Sequence, residues 1–309
     1  MEQAPPDVSV CIVSWNVADD LRACLESIRA QQTPPRFEVI VADNASRDES
    51  VAMVRAQFPE VRLIVNDANL GFARATNQTL RAARGRSLLM LNPDTVLEPD
   101  TLATLVERAD AHPEAGIVAP RLVYPDGSLQ YSARRFPTIT AAIFRNTFLG
   151  RLFPNAAAAS RYVMADWDHD QEREVDWVSG ACLMIRREAY EQVGELDEGF
   201  VWGSEDVDYC YRMHEAGWGV RFTPATTVVH AVGRSTDQAV VPTIVRTHRG
   251  MFRLYRKHFA PSVLVWPLVW PLVWLGVWIR AGLLILSWET RRMLNRIWRV
   301  VSGGRPWRR

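Results

Sequence analysis

Short apolar runs alternate with amphipathic stretches along the first 120 residues, and this alternation most constrains the fold of the chain. In the stretch 18–31, for example, Leu21, Cys24, Leu25 and Ile28 recur at the spacing of one helix face. Strands that alternate with helices predict a mostly parallel, doubly wound α/β sheet with right-handed crossovers. We predict strands at Val8–Ser14, Phe37–Asp43, Val61–Val65, Leu88–Leu91 and Gly116–Ala119, and helices at Ala18–Gln31, from a Ser46/Glu49 capping box toward Gln57, at Ala73–Arg84 and at Pro99–His112.

The pattern changes after residue 120. A Tyr-Pro-Asp-Gly turn at 124–127 predicts a hairpin, and the irregular stretch 134–174 predicts a flexible surface insertion of the kind that often covers a binding site. Further predicted elements are a strand-like run Val175–Ile185 broken at Ser179-Gly180, helices at Arg187–Val193 and Glu205–Ala216, and strands at Gly219–Phe222 and Thr226–His230. We expect residues 1–260 to form the main domain, with halves 1–120 and 121–260, and residues 261–309 to form a tail.

The charge of the chain is strongly asymmetric although its net value is only +1. Residues 238–309 carry 13 basic residues and one acidic residue, Glu289, for a net +12, whereas residues 1–237 carry −11. An acidic body with a basic, apolar tail predicts a domain tethered to an anionic membrane surface. Nucleic acid is the competing partner, but the long uncharged Trp-rich stretches fit lipid better, so we expect no nucleic-acid partner.

The tail repeats a four-residue Leu-Val-Trp motif that places tryptophans at 266, 270, 274 and 278, on one stripe of a helix. Pro271 would kink that helix. The uncharged run 263–279 falls short of the ~20 residues that span a bilayer. Because both flanks are Arg-rich, we expect the segment to re-enter or to lie in the membrane interface. The alternative is a pair of core helices packed on the domain.

The compartment is predicted from the cysteines and the first residues of the chain. Cys11, Cys24, Cys182 and Cys210 lie in apolar segments without C-x-x-C spacing, which indicates reduced, packed thiols and no disulfide or zinc framework. The first residues lack the basic and apolar regions of a secretory signal. We therefore expect the protein at the cytoplasmic face of the cell membrane.

Two acidic residues follow predicted parallel strands. Asp94 comes directly after the buried run Leu88–Leu91, which Pro93 ends, and Asp43 closes the second strand. Open α/β sheets bind ligands at this carboxyl edge, so Asp94 suits a divalent metal carrying a diphosphate and Asp43 suits a base or a ribose. The alternatives are a helix cap or turn residue at Asp94 and a helix cap at Asp43.

Three further groups carry candidate chemistry. Arg74 stands in the first helical turn after Gly71, where the helix dipole disfavours a cation, which suggests a phosphate ligand; a solvated surface arginine is the alternative. Asp206 shares a helix face with Tyr209, Cys210 and Met213, so we expect it to point inward as a general base, with Glu205 and Asp208 pointing away. His230 ends an apolar run as a candidate metal ligand or as a packed residue.

The ordered motifs of the chain resemble glycosyltransferase family 2, and most of all its rhamnosyltransferase-like bacterial branch. The motifs are Val8–Asn16, Asp43–Ser46, Asn69–Phe72, Leu91–Asp94, Val178–Ala181, Glu205-Asp206 and His230. The resemblance covers roughly residues 7–260. It implies a GT-A fold (a Rossmann-like nucleotide-sugar-binding sheet), a nucleotide-sugar donor, a Mg²⁺ or Mn²⁺ ion and inversion at the anomeric carbon.

The resemblance also assigns roles by position. Asp43, Asn69, Arg74 and Asp94 are assigned to the donor, Asp94 and His230 to the metal, and Asp206 to the catalytic base. Gly180, Trp202 and Glu205 are assigned to the acceptor, with Trp202 as an apolar platform for a sugar ring. Asn92-Pro93-Asp94 departs from the family's D-x-D motif because it keeps one acid where the motif has two. The metal would then depend on His230 and the donor diphosphate, with low affinity in the donor's absence.

The expected reaction is transfer of a sugar, by best guess rhamnose from dTDP-rhamnose, to a hydroxyl of a cell-surface glycan or lipid-linked precursor; UDP-galactofuranose or UDP-N-acetylglucosamine are alternative donors. Three other classes compete. A nucleotide-binding oxidoreductase would need a G-x-G-x-x-G after the first strand, and Ser14–Val17 has none. A nucleotidyltransferase fits the Glu205-Asp206 and His230 set less well. A non-catalytic membrane scaffold that retains the fold would bind nucleotide or glycan without transfer.

Overall fold

The computed structural model describes residues 5–138, 161–201, 203–231, 240–260 and 266–301. The chain divides into two compact units, residues 1–238 and 239–309. By packing, the segment 240–260 therefore belongs to the second unit, while a functional boundary at residue 260 stays a prediction. Most of the predicted insertion 134–174 lies outside the described residues.

The first unit alternates strands and helices as the sequence pattern predicts. Its described strands are β1 (Val8–Ser14), β2 (Phe37–Asp43), β3 (Arg62–Val65), β4 (Ser87–Leu91), β5 (Thr95–Leu97), β6 (Ala115–Val123), β7 (Leu129–Gln130), β8 (Ala133–Arg134), β9 (Arg173–Glu174), β10 (Trp177–Val178), β11 (Cys182–Arg186) and β12 (Gly219–His230). Its helices include α1 (Ala18–Arg29), α2 (Ser50–Gln57), α3 (Phe72–Ala82), α4 (Thr101–Ala111), α5 (Arg187–Val193) and α6 (Glu205–Glu215).

The central sheet has the strand order β3-β2-β1-β4-β11-β6-β12-β5. Strands β3, β2, β1 and β4 are parallel neighbours, which confirms the predicted doubly wound half. Beyond them, β11 runs antiparallel to β4 and β6, β12 is parallel to β6, and β5 closes the edge antiparallel to β12. The carboxyl ends of β2 and β4 therefore lie at one edge of the sheet, where ligands bind in this architecture.

Burial explains why the central strands are continuous apolar runs. In β1 Val8, Val10 and Ile12 are fully buried, and all five residues of β4 are buried. Parallel strands covered by helices on both faces require such runs. All four cysteines are buried free thiols, as predicted, and burial raises their pKa values, so they stay protonated.

Three local predictions were wrong because long-range contacts decide the structure. The capping box does not form: α2 begins at Ser50, whose N–H donates to Asp48 Oδ1 at 3.1 Å, whereas Ser46 Oγ accepts the N–H of Asn16 at 2.9 Å. The two strands predicted at 219–230 are one strand, β12, with an irregularity between Thr223 and Thr227. The short strand β5 follows Asp94 directly and was missed.

The second unit contains α7 (Val240–Leu254), a π-helical turn (Tyr255–Phe259) and the long helix α8 (Trp266–Val301). Helix α8 continues through Pro271. Residues 267–295 of this helix are long and apolar enough to cross a membrane by length and composition alone, so a crossing joins the predicted re-entrant and interfacial placements as an alternative. Arg280, which interrupts the apolar sequence, lies against α7, with its Nη1 3.4 Å from His248 Nε2 and 3.2 Å from Met251 Sδ.

Candidate active site

Asp43 closes β2 at the carboxyl edge of the sheet, and its side chain is 1% exposed. Its Oδ2 accepts the N–H of Ser46 at 2.9 Å, which holds the turn after the strand. Its Oδ1 is buried and has no hydrogen-bond partner among the described residues. A buried carboxylate oxygen without a partner is costly, so this atom is available to a donor group on a ligand.

Asn44 ties the end of β2 to the loop 69–71, although the sequence analysis assigned it no role. Its Oδ1 accepts the N–H of Leu70 at 2.9 Å, and its Nδ2 donates to Asn69 Oδ1 at 3.1 Å. Asn69 Oδ1 also accepts the N–H of Gly71 at 3.0 Å. The side-chain oxygen of Asn69 thereby shapes the loop. A contact between Asn69 and the sugar-nucleotide donor stays a prediction.

Arg74 lies in the first turn of α3, with its side chain 59% exposed. Its Nε is 3.8 Å from Glu198 Oε2, a long and exposed ion pair of small net stability. The helix begins at Gly71, whose φ of +86° belongs to the left-handed region and where an added Cβ would lie 3.1 Å from the carbonyl oxygen of Val201. Arg74 therefore lies near the segment 198–201, which precedes Trp202. Trp202 itself lies outside the described residues.

Asp94 and His230 meet at the same edge. Strand β5 pairs with the end of β12 so that Thr95 faces His230, and the N–H of Ala231 donates to the carbonyl of Asp94 at 2.9 Å. This places His230 Nε2 3.3 Å from Asp94 Oδ1, with both side chains about nine-tenths buried. The two residues predicted as metal ligands are thus adjacent, although 136 positions separate them.

Gln130, Asn92 and Asp94 surround the imidazole of His230. Nδ1 lies 2.7 Å from Gln130 Oε1, and Nε2 lies 3.5 Å from Asn92 Nδ2 and 3.3 Å from Asp94 Oδ1. In the tautomer that carries its proton on Nδ1, the Nε2 lone pair faces the Asp94 carboxylate, and a cation between these two atoms would relieve their repulsion. Sequence reasoning missed Gln130, which orients the imidazole from β7.

The residues present fit a divalent cation as two ligands. Across residues 5–138, 161–201, 203–231, 240–260 and 266–301, no cluster of three or more His, Cys, Asp or Glu side chains could hold a metal ion. Mg²⁺ and Mn²⁺ prefer six ligands and commonly take phosphate oxygens and water beside one or two protein groups. Asp94 and His230 therefore match a metal that is bound together with a diphosphate.

Asp206 stands at the start of α6 and is partly exposed. Its Oδ2 accepts the N–H of Gly180 at 3.2 Å, and its Oδ1 accepts the N–H of Val207 at 2.9 Å. Desolvation raises the pKa of Asp206, and these two N–H groups and the charge of Arg134 oppose the rise. A Cβ added at Gly180 would lie 3.5 Å from the Cβ of Asp206, which is ordinary van der Waals contact.

The prediction that Glu205 and Asp208 point away from the interior was wrong. Glu205 is 8% exposed and Asp208 is fully buried, whereas Asp206 retains access to solvent. Asp208 Oδ2 pairs with Arg212 Nε at 3.0 Å, which fixes α6 and gives it a structural role. Burial, then the neighbouring Asp206, raises the pKa of Glu205 to about 8, and its Oε2 has no hydrogen-bond partner among the described residues.

The failed helix-face prediction reflects burial of the start of α6 on more than one face. Glu205, Val207 and Asp208 are buried as well as Tyr209, Cys210 and Met213. Ser204, the residue before α6, has a φ of +75° in the left-handed region, a strained conformation for serine that is concentrated at functional sites.

The backbone links Asp206 to the Asp94–His230 pair. The N–H of Asn92 donates to the carbonyl of Ala181 at 2.8 Å; Asn92 stands two residues before Asp94, and Ala181 follows Gly180. The pairing of β4 with β11 therefore brings the Asp206–Gly180 contact toward the Asp94–His230 contact. The carboxyl edge of the sheet thus carries a partly exposed carboxylate and a carboxylate–imidazole pair.

The strand order and this edge define a glycosyltransferase of the GT-A type. Two solved structures share the fold. The first is a mannosyltransferase from Pyrobaculum calidifontis in complex with GDP-Man and Mn²⁺, with a TM-score of 0.56 and 19% identity, covering 97% of this chain and 84% of that chain. The second is GalNAc-T7 with UDP, GalNAc and Mn²⁺, with a TM-score of 0.57 and 17% identity, covering 81% of this chain and 48% of that chain.

The chain belongs to glycosyl transferase family 2, whose model matches residues 9–194. It is 30% identical over 254 residues to an N-acetylglucosaminyl-diphospho-decaprenol L-rhamnosyltransferase of Mycobacterium tuberculosis, covering 79% of this chain and 82% of that protein. It is 25% identical over 231 residues to the rhamnosyltransferase WbbL of Escherichia coli K12, covering 72% of this chain and 83% of that protein. The protein is therefore a glycosyltransferase with rhamnosyltransferase relatives.

The pKa of Glu205 predicts a stability that depends on pH. With a pKa of about 8 in the folded protein against an ordinary value of 4.5, Glu205 holds a proton between these values that unfolding releases. The free energy of unfolding should therefore fall as pH rises from about 4.5 to about 8. Glu205→Gln, a neutral substitution of the same shape, should reduce this fall and raise the melting temperature at pH 8 by roughly 2–4 °C per kcal/mol gained.

The control is Glu215→Gln, which removes an exposed glutamate from the same helix and should follow the wild type at every pH. Thermal melting from pH 5 to 9 measures all three proteins. Parallel curves for the wild type and Glu205→Gln would show that Glu205 is ionised throughout this range.

Proposed function

We propose that the protein transfers rhamnose from dTDP-rhamnose to a hydroxyl of a sugar carried on a lipid diphosphate, with inversion at the anomeric carbon. The observation that carries the proposal is Asp206, a hydrogen-bonded carboxylate beside the Asp94–His230 pair at the ligand-binding edge of a GT-A sheet. The choice of donor and acceptor is supported by the mycobacterial relative, which is an N-acetylglucosaminyl-diphospho-decaprenol L-rhamnosyltransferase.

The donor binds along the ends of β2 and β4 in this proposal. The unpartnered Oδ1 of Asp43 accepts a hydrogen bond from the nucleoside, and the loop 69–71 borders it. Arg74 leaves its long ion pair with Glu198 to contact the diphosphate, since exchanging an exposed pair for a doubly charged ligand costs little. Asp94 and His230 would hold a Mg²⁺ or Mn²⁺ ion, which when bound neutralises charge on the diphosphate.

The acceptor binds on the side of Gly180 and α6. Asp206 takes the proton of the attacking hydroxyl while the oxygen approaches the anomeric carbon from the face opposite the diphosphate. Gly180 and Val207 hold the carboxylate in place through their N–H groups, so it reaches the hydroxyl without reorganising. Glu205, protonated at neutral pH, adds no second negative charge beside the base.

The second unit supports a membrane partner. On α7 and the following turn, Arg246, Arg249, Arg253 and Arg256 are exposed at spacings of three and four residues and form a basic stripe on one helix face. Helix α8 in the same unit presents Leu268, Leu272, Leu283 and Leu286, which are more than half exposed. A basic face and an apolar face together suit an anionic bilayer, so we place the protein at the cytoplasmic face of the cell membrane, where lipid-linked acceptors are made available.

The base assignment predicts a separation of binding from transfer. Asp206→Asn keeps the shape of the side chain but cannot take a proton, so transfer should fall by at least 10²-fold while donor affinity stays within about twofold. Radiolabelled-sugar transfer and calorimetric donor binding measure the two quantities. Glu215→Gln, remote from the edge, is the control for handling and folding.

Near-normal turnover in Asp206→Asn would refute the assignment of the base. A wild type that binds nucleotide yet transfers nothing from dTDP-rhamnose or from UDP-sugars would instead support the non-catalytic scaffold.

If the Asp94–His230 pair holds the metal, a metal ion should strengthen nucleotide binding only while both side chains are present. Asp94→Asn and His230→Ala should each weaken dTDP binding in Mn²⁺ by about tenfold or more and leave the weak binding in EDTA unchanged. Gln130→Leu should weaken the Mn²⁺ effect less, because it removes only the partner that orients His230. Equal affinities for the wild type and Asp94→Asn in Mn²⁺ would exclude Asp94 as a ligand.

The basic stripe predicts binding to anionic membranes. Replacing Arg246, Arg249 and Arg253 by Gln should cost about 1 kcal/mol per residue in binding to vesicles that contain phosphatidylglycerol. The same three positions changed to Lys keep the charge and should bind as the wild type does. Vesicle sedimentation measures binding, and equal binding of the Gln and wild-type proteins would show that the stripe does not face the membrane.

A further inference from the structure

One arginine near the proposed base, Arg134, makes no salt bridge with another described residue. Arg134 lies in β8, which pairs with β10 so that Arg134 faces Trp177. Its guanidinium carbon is 5.1 Å from the ring centre of Trp177 and 5.8 Å from that of Tyr162. In the described part of the chain no carboxylate lies within ion-pairing distance of it, although most other arginines of the first unit have such a partner.

The aromatic rings hold the guanidinium and leave its outer edge available. Nε donates to the carbonyl oxygen of Tyr131 at 2.7 Å, while the two terminal nitrogens have no hydrogen-bond partner among the described residues. Cation–π contacts fix the plane of the group without satisfying its N–H donors. An arginine fixed in this way presents two parallel donors, which is the geometry that binds a phosphate in a bidentate manner.

The position of Arg134 associates it with the acceptor side of the site. The strand that pairs with β8 leads into Ser179-Gly180, and the N–H of Gly180 bonds Asp206. The N–H of Ser179 also donates to the carbonyl of Ser132 at 3.0 Å, which ties the segments 132–134 and 178–180 together. The positive charge of Arg134 acts on the Asp206 carboxylate and opposes the rise in its pKa that burial causes. The Asp94–His230 pair and Arg74, by contrast, are assigned to the donor diphosphate.

We propose that Arg134 binds a phosphate of the acceptor, so that the enzyme selects acceptor sugars that carry a diphosphate. The inference rests on the proposed function, in which Asp206 contacts the attacking hydroxyl. In an acceptor whose diphosphate is attached to the reacting sugar, the phosphate lies across one sugar ring from that hydroxyl. Arg134 is then a specificity residue on the far side of the ring from the base.

The test compares two acceptors with the full-length protein. One is N-acetylglucosaminyl diphosphate linked to a short isoprenoid chain, and the other is an alkyl N-acetylglucosaminide with no phosphate. Arg134→Gln should raise KM for the diphosphate acceptor by about tenfold or more, the loss expected for charged hydrogen bonds, and leave KM for the neutral acceptor and for the donor unchanged. Arg134→Lys should restore part of the affinity.

The matched control is Arg135→Gln, the same change at the next position, where the arginine pairs with Asp176 at 2.9 Å. It should leave both acceptors unaffected. An equal fall in kcat for both acceptors with a shifted acid limb of the pH profile would overturn the inference, since Arg134 would then act through Asp206. A raised KM for the donor would assign Arg134 to the donor site and overturn it as well.

A binding measurement separates this inference from the proposed transfer. Geranyl diphosphate, which carries no sugar, is titrated calorimetrically into the wild type, Arg134→Gln and Arg135→Gln. Weaker binding to Arg134→Gln alone supports the phosphate contact even if no sugar is transferred to either acceptor, a result that would refute the proposed function only. Equal binding to all three proteins would overturn the inference whatever the transfer assay shows.

Discussion

The antiparallel pairing of the three-residue strand β5 with the end of β12 is the contact on which the site depends. It brings together two residues that lie 136 positions apart, so that His230 Nε2 stands 3.3 Å from Asp94 Oδ1. Pro93 ends β4 and redirects the chain, and β5 starts immediately after Asp94. Gln130 then orients the imidazole from a third strand. Ladder hydrogen bonds hold these two residues more firmly than loops alone would, which suits the proposed metal site.

The acids of the site have different environments, and these correspond to different proposed roles. Asp43 is buried with one oxygen unpartnered, which suits a neutral hydrogen-bond donor of a nucleoside. Asp206 has two N–H donors and solvent access, which suits a base that must ionise and exchange its proton. Glu205 is buried, its Oε2 has no hydrogen-bond partner among the described residues, and its pKa is raised to about 8. A neighbouring carboxyl group that keeps its proton avoids placing two charges at one point.

Much of the fold could be predicted from the sequence because the spacing of apolar residues agrees with the burial in the structure. The strands Val8–Ser14 and Phe37–Asp43 and the helix Arg187–Val193 have the predicted bounds, since continuous apolar runs and helical spacing report the two-sided burial of a parallel sheet. The adjacency of Asp94 and His230 was also anticipated, from family motifs. The structure instead corrects the Ser46 cap and the direction of Glu205. Asn16, 30 positions away along the chain, donates its N–H to Ser46, and the start of α6 is buried at Glu205 and Asp208 as well as on the predicted face. Asn44, Gln130 and Arg134 were missed for the same reason: their partners are distant in sequence, and no spacing rule identifies them.

We propose above all that Asp94 and His230 hold a divalent metal together with the donor nucleotide at the carboxyl edge of the sheet. The most direct test of this metal site is an anomalous-difference map from crystals of the full-length protein grown with dTDP and Mn²⁺. The predicted result is a manganese peak between Asp94 Oδ1 and His230 Nε2, within coordination distance of both atoms and of the diphosphate. Bound dTDP with no manganese at these two side chains, or with manganese held elsewhere, would contradict the claim.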